Sequence, residues 1–450
     1  MEIKLFRSAT VGIHSKGFKI LQDPWLTDGE YYGSWSHYPY YDLDQNINEI
    51  NGYNAIYISH IHPDHCSEDT LKKINKTIPI YIHKFHSKFL KFKLERLGFN
   101  VTEIENGKRV EIGKNIFITI YAADNCDPEL CYKFTACADL SAKEGSQQID
   151  TISIIDDGHN TVMNVNDCPY ELAKSTFMNI KKSFDHISVL LHGYGGAGPF
   201  PQCFDNLNID QKIKAAANKK DQFLNQALSY VTEIKPSYHL PFAGTYTLTG
   251  KLSSMQNLRG IPSMSSTHLF FEHYFNKHSI KNIKTIRLSP DESFDINLNE
   301  YSQPFKDINL KNYQAYIENY LSLKKLNYEN LVYPNTEEIF ELAKSAHKKF
   351  KEKKMTNNVK LNSDIYFKIE DQYIYLQKND KSIDLIDKDK LNQNSRFIIY
   401  NTDKRFLKEL LKGPRYAHWN NAEIGSHIDF YRSTDEYERN LHSSICYFHN

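Results

Sequence analysis

The sequence predicts an α+β layered protein, on three observations. Short β-branched and aromatic runs bounded by Gly, Asp and Asn recur through the first 290 residues. Segments with a helical apolar period lie between them. No internal repeat or long charged low-complexity tract interrupts the pattern.

In chain order, IKLFRSATVGIH and GFKILQDP read as strands broken by glycines, and AIYISH (55–60) as a compact buried strand. Ser67 ahead of Glu68 and Asp69 is an N-cap followed by an acidic first turn, which predicts a helix through Leu71 and Ile74. Strand-like runs follow at IPIYIH, NIFITIYA, DTISIID, HNTVMNV and HISVLLHG. Ile213, Phe223, Leu224, Ala227 and Leu228 give one apolar face to a long helix over 209–234. The polar stretch LSPDESFDINLNEYSQPFKD places a domain boundary near 288–307, giving a catalytic unit over 1–295 and a C-terminal α/β unit over 308–450. Within the latter, AKSAHKKFKEKKM reads as a helix with a solvated basic face, and YFKIEDQYIYLQK as a hairpin turning at Glu370–Asp371.

Composition bounds the function. The chain has 450 residues, enough for two domains, with 40% hydrophobic and 13% aromatic residues to fill a core. Lys+Arg and Asp+Glu are both 55, so there is no overall basic excess of the kind that phosphate neutralisation demands of a nucleic-acid binder. No signal-like start and no run of about 18 apolar residues occurs, so a cytoplasmic protein without membrane contact is expected. Seven cysteines form no dense framework. Cys126, Cys131 and Cys137 cluster but lack the CxxC pair of a zinc ribbon. Cys446 and His449 have no second such pair, which excludes a Rieske centre.

The chemistry sits in YISHIHPDHCSEDTL, which puts His60, His62, Asp64 and His65 within six residues. On an extended strand end, residues two apart face the same side, so His60 and His62 converge on one metal. Pro63 turns the chain, letting Asp64 and His65 face a second. Imidazole and carboxylate suit zinc, iron or manganese.

This HxHxDH pattern resembles that of the metallo-β-lactamase superfamily. The resemblance implies an αββα sandwich and two divalent metal ions. It also implies roles for three further residues: Asp23 of LQDPWL as the brace of the metal loop, Asp167 of VMNVNDC as the bridging carboxylate, and His239 of PSYHLPFAGTYT as the last ligand. Where the superfamily has another histidine, FITIYAADNCDPEL offers Asp124, with His159 of DDGHN as the alternative. Three stretches narrow the likeness to the catalytic domain of CMP-N-acetylneuraminate hydroxylase over about residues 10–250: AIYISHIHPDHCSEDTLKKI, TVMNVNDC with GYGGAGPFPQCF, and KPSYHLPFAGTYT. The chain begins directly with this region, without the Rieske domain of that hydroxylase, and His239 stands where the hydroxylase has no histidine.

Two enzyme readings use the same residues. In the first, a hydrolase of a small polar metabolite works through a metal-bound hydroxide, with Asp64, His65 and Asp167 catalytic and Asp64 the proton acceptor. In the second, a di-iron oxygenase takes electrons from a separate donor. A non-catalytic binding module is the third reading. His239 and the general ligand pattern incline the sequence toward hydrolysis. The loop HGYGGAGPFP presents backbone N–H groups to an anion or is a tight connection. YAHWNNAEIGSHIDFYRS, with Trp419, Asn420, Asn421 and His427, is a packed interface or a substrate contact.

Overall fold

The computed structural model describes residues 1–127, 149–356, 358–379 and 381–450. Cys131 and Cys137 lie outside the described residues. Cys66, Cys168 and Cys203 are free thiols.

Two sheets face each other. Among the described residues the first has eight strands, running in space Glu300–Tyr301, Ser293–Asp295, Glu2–Arg7, Thr10–Ser15, Phe18–Gln22, Ala55–Tyr57, Ile80–His83 and Val101–Ile104. The second has seven: Lys284–Thr285, Tyr238–Phe242, Val189–Gly193, Thr161–Asn164, Thr151–Asp156, Ile116–Ala122 and Arg109–Gly113. Hairpin-connected strands pair antiparallel, while Phe18–Gln22, Ala55–Tyr57 and Ile80–His83 pair parallel through helical crossovers.

Period-2 alternation divides the strand residues between two layers of core. Ile13, Ile20, Ile118, Ile155, Val162, Val189, Leu191 and Leu240 interleave between the sheets. Their neighbours point outward. Leu21, Ile56 and Ile80 pack on Leu71, Leu90 and Leu94 of the helices Glu68–Lys73 and Phe89–Arg96. Ile154, Met163 and Leu190 pack on Phe177, Val231 and Phe271 of the helices Tyr170–Ser183, Ile209–Ile234 and Met264–Lys277. The result is an αββα sandwich. Ser67 caps its helix by accepting the Thr70 N–H, and the long helix runs over 209–234 as its apolar face predicts. The first sheet continues to Tyr301, past the end placed at 295, because the strand Ser293–Asp295 pairs with Glu2–Lys4 at the sheet edge.

A third, five-stranded sheet follows, in the order Ile383–Asp387, Gln372–Leu376, Asp364–Ile369, Phe397–Asn401 and Asp429–Arg432. Its hairpin turns at Glu370, whose positive φ of 53° reverses the chain. One apolar cluster joins it to the sandwich. Trp25, Tyr31, Trp35 and Phe204 share that cluster with Phe367, Trp419, Phe430 and Phe448. The Phe430 N–H donates to the Cys203 carbonyl at 2.7 Å, and the Asp205 N–H to the Phe430 carbonyl at 2.8 Å.

Trp419 sits at the middle of this junction, 1% exposed, with its indole N–H donating to the Phe448 carbonyl at 2.9 Å. Truncating a buried aromatic loses its burial and leaves a cavity, so Trp419→Ala is expected to cost about 3–5 kcal/mol. A shift of the urea midpoint at constant slope measures it. An unchanged midpoint would mean that the junction is not cooperative with the rest of the chain.

Candidate metal centre

The residues of the HxHxDH stretch gather where the strands of both sheets end. Asp23 follows the strand Phe18–Gln22, Ser59 to His65 follow Ala55–Tyr57, Asp150 precedes Thr151–Asp156, and Asp167 follows Thr161–Asn164. Thr151 ties the two sheets together at this end. Its hydroxyl donates to the Ser59 carbonyl at 2.7 Å and lies 2.7 Å from the Tyr57 hydroxyl.

A chain of hydrogen bonds fixes which nitrogen of each imidazole carries its proton. Asp23 is fully buried. One of its oxygens accepts the Ser59 N–H at 2.7 Å, and the other accepts the Ser59 hydroxyl at 2.8 Å and His65 Nδ1–H at 2.9 Å. With its own proton committed to Asp23, the Ser59 oxygen accepts His60 Nδ1–H at 2.9 Å. His62 Nε2–H donates to Asn420 Oδ1 at 3.3 Å. The inward nitrogens of His60 and His62 therefore present lone pairs. His60 Nε2 and His62 Nδ1 face each other at 3.0 Å, and His65 Nε2 faces Asp167 Oδ2 at 3.4 Å and Asp64 Oδ2 at 3.6 Å.

Two donor groups result, each with its atoms within 4.8 Å of one another: His60, His62 and Asp150, and His60, His65 and Asp167. Asp150 Oδ1 lies 3.6 Å from His60 Nε2, buried and without a hydrogen-bond partner. Two opposed imidazole lone pairs beside an unpartnered buried carboxylate oxygen are electrostatically unfavourable alone and favourable around a cation. The residues thus fit a metal ion, and the adjoining group offers a second position.

The electrostatics agree. Burial, then the neighbouring imidazoles, hold His60 well below the ordinary histidine range. Burial likewise lowers His62. Burial would lower His65 too, but Asp167, Asp64 and Asp23 around it outweigh this and hold it well above. Burial, then the Asp167 charge, pushes Asp150 up to about 7. Burial also raises Asp64, which accepts a hydrogen bond from the Tyr31 hydroxyl. Asp167 keeps 46% of its side chain open, and His65, His60 and His62 outweigh its desolvation to hold it well below the carboxylate range. It marks the accessible side of the centre.

Of the residues expected from the sequence, His60, His62, Asp64, His65 and Asp167 come together, with Asp23 beneath them. Asp64 stands beside the second donor group, 3.6 Å from His65 Nε2, and three others join neither group. His239, expected as the last ligand, is a buried residue outside both donor groups. Leu240 and Phe242 face the inter-sheet core, so His239 points outward under the helix Met264–Lys277. There its ring lies 4.4 Å from that of Phe271 at a tilt of 56°, with Nδ1 3.0 Å from His192 Nε2 and Nε2 2.8 Å from Thr285 Oγ1. His159 lies in the hairpin 157–160, where its N–H donates to Asp157 at the opposite end of the strand Thr151–Asp156. Asp124 is buried at the end of the strand Ile116–Ala122 and accepts the Cys126 N–H at 3.0 Å, and it is in neither group. Asp150, on the antiparallel neighbour, lies in the first group, and its carbonyl accepts the Ala123 N–H.

Sequence reasoning missed Asp150 and Tyr31. Tyr31 lies in a left-handed turn from Gly29 to Gly33, with φ of 51° and 60° at Tyr31 and Tyr32, and this strained turn aims its hydroxyl at Asp64. The glycine-rich loop is closely packed against its neighbours. The Cα of Gly195 packs on that of Gly244, and Gln202 reaches Ser426 at 3.0 Å.

An αββα sandwich with these His and Asp side chains gathered at its strand ends is the metallo-β-lactamase fold. Residues 2–167 match the Beta-lactamase superfamily domain. Over 237 residues the chain is 27% identical to the cytidine monophosphate-N-acetylneuraminic acid hydroxylase of Danio rerio, covering 51% of this chain and 35% of that protein. The Xenopus laevis hydroxylase is 27% identical over 235 residues, covering 50% and 34%. The chain thus spans about a third of the length of these relatives. A possible metal-dependent hydrolase from Veillonella parvula superposes with a TM-score of 0.45 at 16% identity, covering 65% of this chain and 98% of that one. Among the described residues no helix is long and apolar enough to cross a membrane.

Proposed function

We propose that the chain is a dinuclear iron oxygenase that hydroxylates a small polar metabolite, such as a sugar or nucleotide derivative, with electrons from a separate donor protein. The donor set carries this reading. The two groups together offer three imidazoles, of which His60 is common to both, and two carboxylates, and His239, which inclined the sequence toward hydrolysis, faces away. Two histidines and a carboxylate with open positions suit ferrous iron in oxygen chemistry, and the added carboxylate of Asp64 hardens the set further. Likeness to the hydroxylases supports the same class.

His60, His62 and Asp150 would hold one ion, and His65, Asp64 and Asp167 the other, with His60 between them. When bound, the two ions supply the redox change that activates O₂. The chain's own residues do the rest. Ser59, Asp23 and Asn420 orient the three imidazoles, and Tyr31 leaves one oxygen of Asp64 free to turn inward. The exposed edge at Asp167 admits substrate. One C–H bond, O₂, two electrons and two protons give one C–OH and one water, and a reduced ferredoxin-class protein provides the electrons.

Hydrolysis is the second reading, favoured by Asp64. Burial raises this carboxyl toward the range in which a group accepts a proton from an attacking water.

Protein purified without oxygen or added metal is expected to carry close to two irons per chain by mass spectrometry. It should consume O₂ when given a reduced ferredoxin and nucleotide-linked sugars. Zinc at that stoichiometry, with turnover of lactones or phosphodiesters and no O₂ uptake, would replace the oxygenase reading with the hydrolase one.

A further inference from the structure

We infer that Asn420, supplied by the C-terminal part of the chain, is a positioning residue for His62, so that the metal centre is complete only while the third sheet is docked on the sandwich. The inference rests on the metal-centre reading above.

A neutral imidazole has one N–H and one lone pair. Asn420 Oδ1 only accepts, so at 3.3 Å it selects the tautomer of His62 with the proton on Nε2. That tautomer turns the Nδ1 lone pair toward His60 Nε2 and Asp150. In the other tautomer Nδ1–H would occupy the metal position, and two lone pairs would oppose each other at Asn420. Ser59 and Asp23 do the same for His60 and His65, but both belong to the sandwich. Asn420 is 358 positions from His62 in sequence.

Asn420 is itself held in place. It sits in the short helix Trp419–Ile424, anchored by the buried Trp419, and its N–H donates to His418 Nδ1 at 3.2 Å. The His418 N–H donates to the Tyr32 hydroxyl at 2.7 Å. A second thread runs alongside. His427 Nε2–H donates to the Tyr31 carbonyl at 2.6 Å, the Ser34 hydroxyl donates to the Gly425 carbonyl at 2.6 Å, and Tyr31 bonds Asp64. The strained turn 29–33 is thus clasped from the C-terminal side, and ligands of both groups are reached from it.

The test titrates metal-free full-length protein with Co²⁺ under anaerobic conditions, following the visible spectrum and the binding isotherm. Wild-type protein is expected to take two equivalents. Asn420→Leu, which keeps the size and removes the acceptor, should weaken one equivalent by about 10–100-fold, the usual effect of losing an outer-shell partner, and leave the other unchanged. Asn420→Asp restores an acceptor and should return that equivalent to wild-type affinity. The thermal midpoints of the metal-free proteins are measured alongside. If the leucine variant does not fold, Asn420→Ser draws the acceptor out of reach with less change of shape and gives the same reading. Two wild-type equivalents in Asn420→Leu would overturn this inference alone, as would Asn420→Asp binding as weakly as Asn420→Leu. Wild-type protein that binds no ion would overturn the metal-centre reading and this inference with it.

Discussion

Replacing His60 by alanine is expected to empty the metal position it shares with His62 and Asp150, to weaken the other, and to take turnover to background. Its Nε2 belongs to both donor groups, 3.0 Å from His62 Nδ1, 3.6 Å from Asp150 and 4.0 Å from Asp167. No other imidazole is shared in this way. Removing it leaves His62 with Asp150 on one side and His65 with Asp64 and Asp167 on the other, and the carboxylate repulsion is less well balanced at the centre. Asp150→Ala should empty only the position shared with His62. The control is His239→Ala. Its ring lies under the helix Met264–Lys277, so that variant should keep wild-type metal content. Metal per chain after gel filtration checks all three, and loss of metal in His239→Ala would return that residue to the ligand set.

The second large effect is at Asp23, and it reaches folding as well as metal binding. Alanine there leaves the Ser59 N–H, the Ser59 hydroxyl and His65 Nδ1–H without an acceptor, all in the buried floor of the site. Breaking a buried charged pair while leaving its partners in place costs about 3–5 kcal/mol, so Asp23→Ala should move the urea midpoint by that amount at constant slope. Free of Asp23, His65 no longer has its tautomer fixed and Ser59 loses its reason to accept from His60, so both ions should bind more weakly. Asp23→Asn keeps the size and one acceptor oxygen and should fall between. A midpoint within about 0.5 kcal/mol of wild type, the range of an ordinary surface change, would show that Asp23 is not the brace.

What was legible in the sequence follows from how local each feature is. His60, His62, Asp64 and His65 share one strand end and the turn made by Pro63, so their convergence is a property of six consecutive residues. The helix over 209–234 and the Ser67 cap were equally local. His239 sits on the expected strand, but a strand has two faces, and Leu240 and Phe242 claim the inner one for the core. The alternation in YHLPF carried that information, and motif order overrode it. Asp150 stood in view at the head of DTISIID. Its role, however, comes from antiparallel pairing with the strand that ends before Asp124, and spacing along the chain does not give that register. Asn420 depends on the docking of the third sheet, and a sequence alone does not pair residue 420 with residue 62. The oxygenase reading likewise rests on the donors that the strand ends bring together rather than on the motif, which suits either chemistry.

The measurement that bears most directly on the centre is anomalous diffraction from crystals of iron-loaded protein, collected on both sides of the iron edge. The account predicts two peaks, one among His60, His62 and Asp150 and one among His65, Asp64 and Asp167, with nothing beside His239. A single peak, or one at His192 and His239, would contradict it.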